Sequence, residues 1–278
     1  MQNSLNTKAR ILFPIVVTVI TLAVGLLTGC QSGPTSRYSA AANGLRDDRW
    51  RMDLSSLGGT IWEFKPEGGD WQPIQVPAGG WRAQNYKCDA GTYRAWLAIP
   101  KNIDGRRVRL TFDAINFGAD IFVGQDASNL VAVAHHIDGW VPVTADITAF
   151  ATPGSRVLVQ VNVAGRKKFR VKGKYIVPEG ATWDPALEDG ILRGVHLDLL
   201  PAVRVEDVFI RTHVAPDLLN AAVTVVNDSD QAAAVTLVSK LKSANRVRFK
   251  YPAIPDTTVT VPAHHTQTVE LGDISWPI

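Results

Sequence analysis

Few side chains in this sequence could do covalent or metal chemistry, and their spacing narrows what that chemistry could be. There are two cysteines, Cys30 and Cys88, and six histidines, four of them in the pairs His135-His136 and His264-His265. Both pairs stand in strand-like text, where neighbouring residues point to opposite faces, so neither pair converges on one ion. No Cys/His constellation has zinc spacing. The expectation is no metal and no cofactor. Six cations crowd together at Arg166, Lys167, Lys168, Arg170, Lys172 and Lys174. In a turn-rich stretch such a run reads as a solvated surface loop rather than a phosphate track. The formal charge of +3 includes Lys8 and Arg10, the only charged residues before position 30, and falls to +1 without them. Nucleic acid is therefore not an expected partner.

Residues 11–29 carry no charge and follow those two cations, which is the layout of an export signal. An apolar run of this length also spans a bilayer as a helix, and the residues that end it separate the two cases. Leu27-Thr28-Gly29-Cys30 resembles the lipobox of bacterial lipoproteins, where small residues ahead of a lipidated cysteine permit cleavage. That resemblance implies a lipoprotein signal peptide over 1–29, lipidation at Cys30 and a flexible Ser-, Gly-, Ala- and Thr-rich tether over 30–44. The implied location is an exported, membrane-anchored lipoprotein, periplasmic or at the cell surface. Gln31 is not an acidic retention signal, which favours the outer membrane. Cys88 is then the remaining thiol, expected to pack as a small residue without an intramolecular disulfide.

These groups must be positioned by strands. The chain of 278 residues is 46% hydrophobic and 20% charged, the composition of a folded protein and not of a disordered one. Val108, Leu110 and Phe112 alternate with polar neighbours, as do Val157, Val159, Val161 and Val163, and both runs read as half-buried strands. Further strand-like runs occur near Tyr93 to Ile99, Ala119 to Val123 and Val131 to Ala134. Pro77-Ala78-Gly79-Gly80, Asp104-Gly105, Asp138-Gly139 and Pro153-Gly154 supply the positive-φ or fixed-φ residues of tight reversals. Helical periodicity is scarce after the leader, so residues 45–201 predict an antiparallel sandwich or jelly roll. After Pro201, six more candidate strands follow: Val203 to Val214, Ala221 to Asn227, Ala232 to Leu241, Val247 to Tyr251, Thr257 to Val261 and Thr266 to Leu271. An immunoglobulin-like sandwich takes about seven strands and about 100 residues, so residues 202–278 read as a truncated one.

Six phrases in order resemble the non-catalytic front half of family 2 glycoside hydrolases, the group of β-galactosidases, β-glucuronidases and β-mannosidases. They are Val76-Pro77 with Trp81; Gly91-Thr92-Tyr93-Arg94 with Ile99-Pro100; Arg107 to Phe112; Asp120-Ile121-Phe122-Val123; Gly139-Trp140-Val141-Pro142 with Asp146-Ile147-Thr148; and Gly190-Ile191-Leu192-Arg193-Gly194-Val195. Two departures stand out. Gly124-Gln125-Asp126 replaces the usual Asn-Gly turn, and Val143 stands where an aromatic is common. Ser275-Trp276-Pro277-Ile278 resembles the phrase that leads into the last strand of the family's immunoglobulin-like domain and then its catalytic barrel. The resemblance implies an all-β chain: a galactose-binding-like jelly-roll sugar-binding domain over 45–201, then an incomplete immunoglobulin-like β-sandwich over 202–278.

The same resemblance implies carbohydrate breakdown by an intact enzyme, with a β-glycoside ligand. Retaining glycosidases hold two carboxyl groups about 5 Å apart on a rigid frame, which in this family is a barrel of about 250 residues. No such barrel fits here, and the sequence contains no Asn-Glu dipeptide of the family's acid/base type, so the chain alone is expected to be inactive. Asp184 stands six residues before Gly190, where family members carry an aspartate that touches sugar hydroxyls. Trp183 beside it has the flat apolar ring that stacks on a pyranose. Glu188 and Asp189 read as loop acids, and Trp140 as sheet core or edge packing. The alternative from a different class is a complete lipid-anchored binding or adhesion lipoprotein without enzymatic activity.

Overall fold

The structure, a computed structural model, describes residues 15–21, 50–103, 105–171, 174–175, 188–213, 215, 217–241 and 251–276. It forms two compact units, one from residues 48–201 and one from residues 202–278 together with 1–47. Strand β1 (Ile15–Thr21) belongs to the latter.

The first unit carries β2 (Trp50–Asp53), β3 (Trp62–Pro66), β4 (Gln72–Ile74), β5 (Ala90–Ala98), β6 (Arg107–Phe112), β7 (Ile115–Asn116) and β8 (Gly118–Gly124). It continues with β9 (Val131–Ile137), β10 (Val143–Asp146), β11 (Arg156–Ala164), β12 (Arg170–Val171), β13 (Lys174–Tyr175), β14 (Gly190–Ile191) and β15 (Val195–Leu200). Two antiparallel sheets run in the orders β4-β3-β5-β11-β8-β9 and β10-β6-β15-β2. Their inner faces meet in one core. Val108, Leu110 and Phe112 of β6, and Val157, Val159, Val161 and Val163 of β11, are all buried in it, as the alternation requires. Each such side chain contributes about 1.5–3 kcal/mol through removal from water.

Aromatic side chains supply the heaviest part of this core. Trp62 and Trp81 are buried, and each ring N–H has an acceptor: Trp62 Nε1 donates to Leu54 O at 2.8 Å and Trp81 Nε1 to Cys88 O at 3.2 Å. Phe64 lies between its neighbours, with ring centroids 5.4 Å from Trp81 and 4.7 Å from Tyr93. Cys88 is half-buried against the same cluster, and burial pushes its thiol pKa up.

Turn chemistry is mostly as read. Gly79, Gly80, Gly105 and Gly154 all have positive φ. Gly139 does not; its lack of a side chain is required instead by close approach, since a Cβ there would lie 2.9 Å from Asn116 Oδ1. At Gly124-Gln125-Asp126, the Asp126 carboxylate closes the turn between β8 and β9. Hydrogen bonds from the Ser128 hydroxyl at 2.6 Å and the Asn129 side-chain amide, followed by the Ser128 and Asn129 backbone amides at 2.8 and 3.0 Å, hold its pKa down. Lys167 and Lys168 of the cationic stretch are exposed and reach Asp89 at 3.4 Å and Glu67 at 2.7 Å.

The second unit contains β16 (Val203–His213), β17 (Leu218–Asn227), β18 (Ala233–Leu241), β19 (Thr257–Val261) and β20 (His265–Ser275). Its sheets are β16-β17-β20 and β1-β18-β19. Val223, Val225, Val235, Leu237 and Val261 form its core. The expected strand over Val247 to Tyr251 falls largely outside the described residues, and Tyr251 itself is in no strand. The last strand is longer than its alternation suggests, because the register shift between Leu219 and Ala221 lets β20 continue to Ser275.

Ile15–Thr21 is extended, pairing antiparallel with β18 from Ile15↔Leu241 to Thr21↔Val235. All seven residues of Ile-Val-Val-Thr-Val-Ile-Thr are β-branched, which favours a strand over a helix. The histidine pairs also resolve: His135 is exposed and His136 buried on opposite faces of β9, whereas His264 sits in a turn at φ 51° ahead of β20.

Candidate functional site

At one end of the first sandwich, the segment Glu188 to Ile191 is fastened to its surroundings on several sides. β14 pairs with β7, Gly190 opposite Asn116 and Ile191 opposite Ile115. The Trp81 amide donates to Asp189 O at 3.1 Å, and Asn116 Nδ2 donates to Glu188 O at 2.6 Å. Gly190 has φ 115°, and a Cβ there would lie 2.3 Å from the buried Tyr93 hydroxyl, so a larger residue fails on conformation and on space. Gly80 faces the same constraint, because a Cβ on it would lie 2.3 Å from Asp189 O.

Asp189 is not the solvated loop acid its surroundings in the sequence suggest. It is 2% exposed; its carboxylate accepts the Arg166 amide at 2.9 Å and lies 3.5 Å from Arg82 Nη2. Burial raises its pKa, and the Arg166 amide bond and the nearby Arg82 and Arg166 charges oppose that rise. Burial likewise pushes the Tyr93 hydroxyl pKa up. The adjacency of an acid to Gly190 was a signal in the sequence, but the partner across the fold, the amide of Arg166, was not readable from local text.

Exposed apolar residues occur around the turn between β9 and β10, whose Gly139 approaches Asn116. Trp140, expected in or at the edge of a sheet, is 50% exposed because it lies in the turn before β10. Arg193 sits over its ring with 5.5 Å to the centroid, and Ile137 and Val141 are exposed nearby in the chain. Asp113 and His196 pair at 2.8 Å. Trp183 and Asp184, the predicted sugar contacts, lie outside the described residues, as does Cys30. The described residues therefore fix the segment that follows Asp184 by four residues and leave Asp189 fully engaged. Among the described residues no group of His, Cys, Asp or Glu is arranged to hold a metal ion. The arrangement fastens the Glu188–Ile191 segment, with its buried carboxylate engaged by an amide and a guanidinium.

The fold has structural relatives. The chain superposes on a family 2 β-galacturonidase from Eisenbergiella tayi bound to galacturonate with a TM-score of 0.57 and 16% identity, over 82% of this chain and 38% of that one. A Bacteroides uniformis β-glucuronidase gives a TM-score of 0.58 at 18% identity, over 82% of this chain and 28% of that one. A family 2 member from Bacteroides cellulosilyticus gives 0.55 at 19%, over 81% and 31%. This chain has the sandwich fold of family 2 glycoside hydrolases. It spans between about a quarter and two fifths of the length of these relatives. No family model matches the sequence. In the family 2 fold the all-β reading of the sequence stands, with an antiparallel jelly-roll-like sandwich followed by a second sandwich.

Proposed function

We propose that this chain is the non-catalytic, carbohydrate-contacting front portion of a family 2 glycoside hydrolase, whose bond cleavage is performed by a barrel on a longer polypeptide. The observation that carries this reading is the pinned Gly190-Ile191 strand within a family 2 sandwich fold. It follows closely after Asp184, whose spacing from Gly190 resembles that of the family's sugar-contacting aspartate, and after Trp183 beside it. In that role Asp184 accepts hydroxyl hydrogen bonds, Trp183 stacks on the ring, and the buried Asp189 holds the segment that follows them. The coding sequence downstream of codon 278 tests it. A stretch encoding a barrel with an Asn-Glu pair, in frame or after a frameshift, is expected; its absence overturns the proposal.

The same proposal places the protein at a bacterial membrane through a lipid on Cys30, with the outer membrane favoured. Cleavage ahead of Cys30 would remove β1 and uncover the β18 edge that β1 covers. Cys30→Ser should abolish fatty-acid labelling and leave the precursor uncut, and persistent labelling would refute the anchor.

A further inference from the structure

We propose that the outer face of the six-stranded sheet in the first sandwich is a second saccharide-binding site, separate from the one proposed at Trp183 and Asp184. The inference rests on the carbohydrate reading above and adds a surface to it. The strand register brings five polar side chains into one row: Lys65 opposite Thr92, Thr92 opposite Asn162, Asn162 opposite Asp120, and Asp120 opposite His135. At about 4.8 Å between neighbouring strands, the row is about 19 Å long. It points away from the core, since the residues on either side of it in sequence, such as Phe64, Tyr93, Val163 and Ile121, are buried. The row lines an open surface hollow of about 370 Å³, whose wall also includes Phe169. That volume falls in the range of small-molecule sites, about 300–1,000 Å³.

The groups in the row are oriented by one another. Asn162 Oδ1 accepts from Thr92 Oγ1 at 3.1 Å and from Gln160 Nε2 at 3.2 Å. Its amide is thereby held at Oδ1, and Nδ2, its donor group, makes no hydrogen bond among the described residues. Asp120 Oδ1 pairs with His135 Nδ1 at 2.6 Å, which leaves Asp120 Oδ2 as an acceptor. Lys65 is exposed and forms no ion pair among the described residues. Phe169 closes one side. Its ring occupies the space a side chain at Gly118 would take, with Phe169 Cζ 2.3 Å from where that Cβ would be, and Phe117 stands edge-on to it at 5.1 Å.

Fixed donors, a free carboxylate oxygen, an ammonium and one aromatic ring suit a ligand that carries hydroxyls on an apolar ring, which is a pyranose. A phosphate would meet the carboxylates of Asp120 and Glu67 on the same wall. An apolar protein surface would strand the polar row unpaired. A chain of pyranoses laid along the row fits neither objection.

The test is native gel electrophoresis of the full 278-residue chain in nonionic detergent, through gels containing the neutral polysaccharides galactan, mannan or xyloglucan. At least one polysaccharide should retard the parent. Asn162→Asp, which keeps shape but exchanges two donors for an acceptor, and Asp120→Ala should each weaken that retardation at least tenfold, with thermal unfolding shifted by no more than a few degrees. Trp183→Ala and Asp184→Ala should retain it. No retardation of the parent by any of the three, equal retardation of the row variants, or loss confined to the Trp183 and Asp184 variants would each overturn the second site. The last of these would leave the loop assignment intact, so the two readings fail separately.

Discussion

Asp189 shows how little a residue's neighbours in sequence reveal about its surroundings in the fold. Between Glu188 and Gly190 it reads as a loop acid, yet the carboxylate is buried against the Arg166 amide and Arg82. Its pKa in the folded protein lies above the ordinary carboxylate value because burial disfavours the charge. The folded state therefore holds a proton that the unfolded chain gives up, and stability falls as pH rises from the ordinary Asp value towards the folded one. Asp189→Asn keeps an oxygen for the Arg166 amide and removes the charge. Urea unfolding should find this variant more favourable, relative to the parent, at about pH 7 than at about pH 3.5, where the parent carboxyl is largely protonated in both states. A difference of the opposite sign would mean that Arg82 outweighs desolvation. By contrast Val108, Leu110 and Phe112 were legible, because burial on one face of a strand leaves a period-two trace in the text.

Elements were legible where one face meets water and obscure where both faces are covered. β15 reads Val-His-Leu-Asp-Leu-Leu, and all but His196 are buried, Asp198 included. Asp198 is accommodated by a fork from Arg51 at 2.6 and 3.2 Å and by the Thr111 hydroxyl at 3.0 Å, partners 147 and 87 residues away. No periodicity announces such a pairing. The polar row over five strands was unreadable for a similar reason: each member is an ordinary outward residue until the register aligns them. In the second sandwich, Asn227 at the end of β17 joins non-adjacent segments. It is fully buried, donates to Gln231 O at 2.8 Å and Val261 O at 3.0 Å, and accepts from Ser229. Asn227→Ala would strand these groups and should cost about 1–3 kcal/mol. Denaturant unfolding should register this as a lower midpoint, and an unchanged midpoint would show that water replaces the side chain.

Across the whole molecule, the sequence showed the two-sandwich organisation through turn spacing and six ordered phrases, and the fold matches family 2 enzymes over most of the chain. The sugar contacts proposed at Trp183 and Asp184 rest on their spacing from Gly190, and the structure adds the fastened strand that follows them. β-Sandwiches of this kind hold loops and polar faces in place, whereas retaining hydrolysis needs two carboxyls about 5 Å apart on a rigid frame. Under the proposed function this chain binds and positions carbohydrate without cleaving it. The most direct measurement is release of nitrophenol from aryl β-galactoside, β-glucuronide and β-galacturonide by the purified chain at high concentration. The predicted rate equals that of buffer, and turnover that tracks the chain through successive purification steps would contradict the claim.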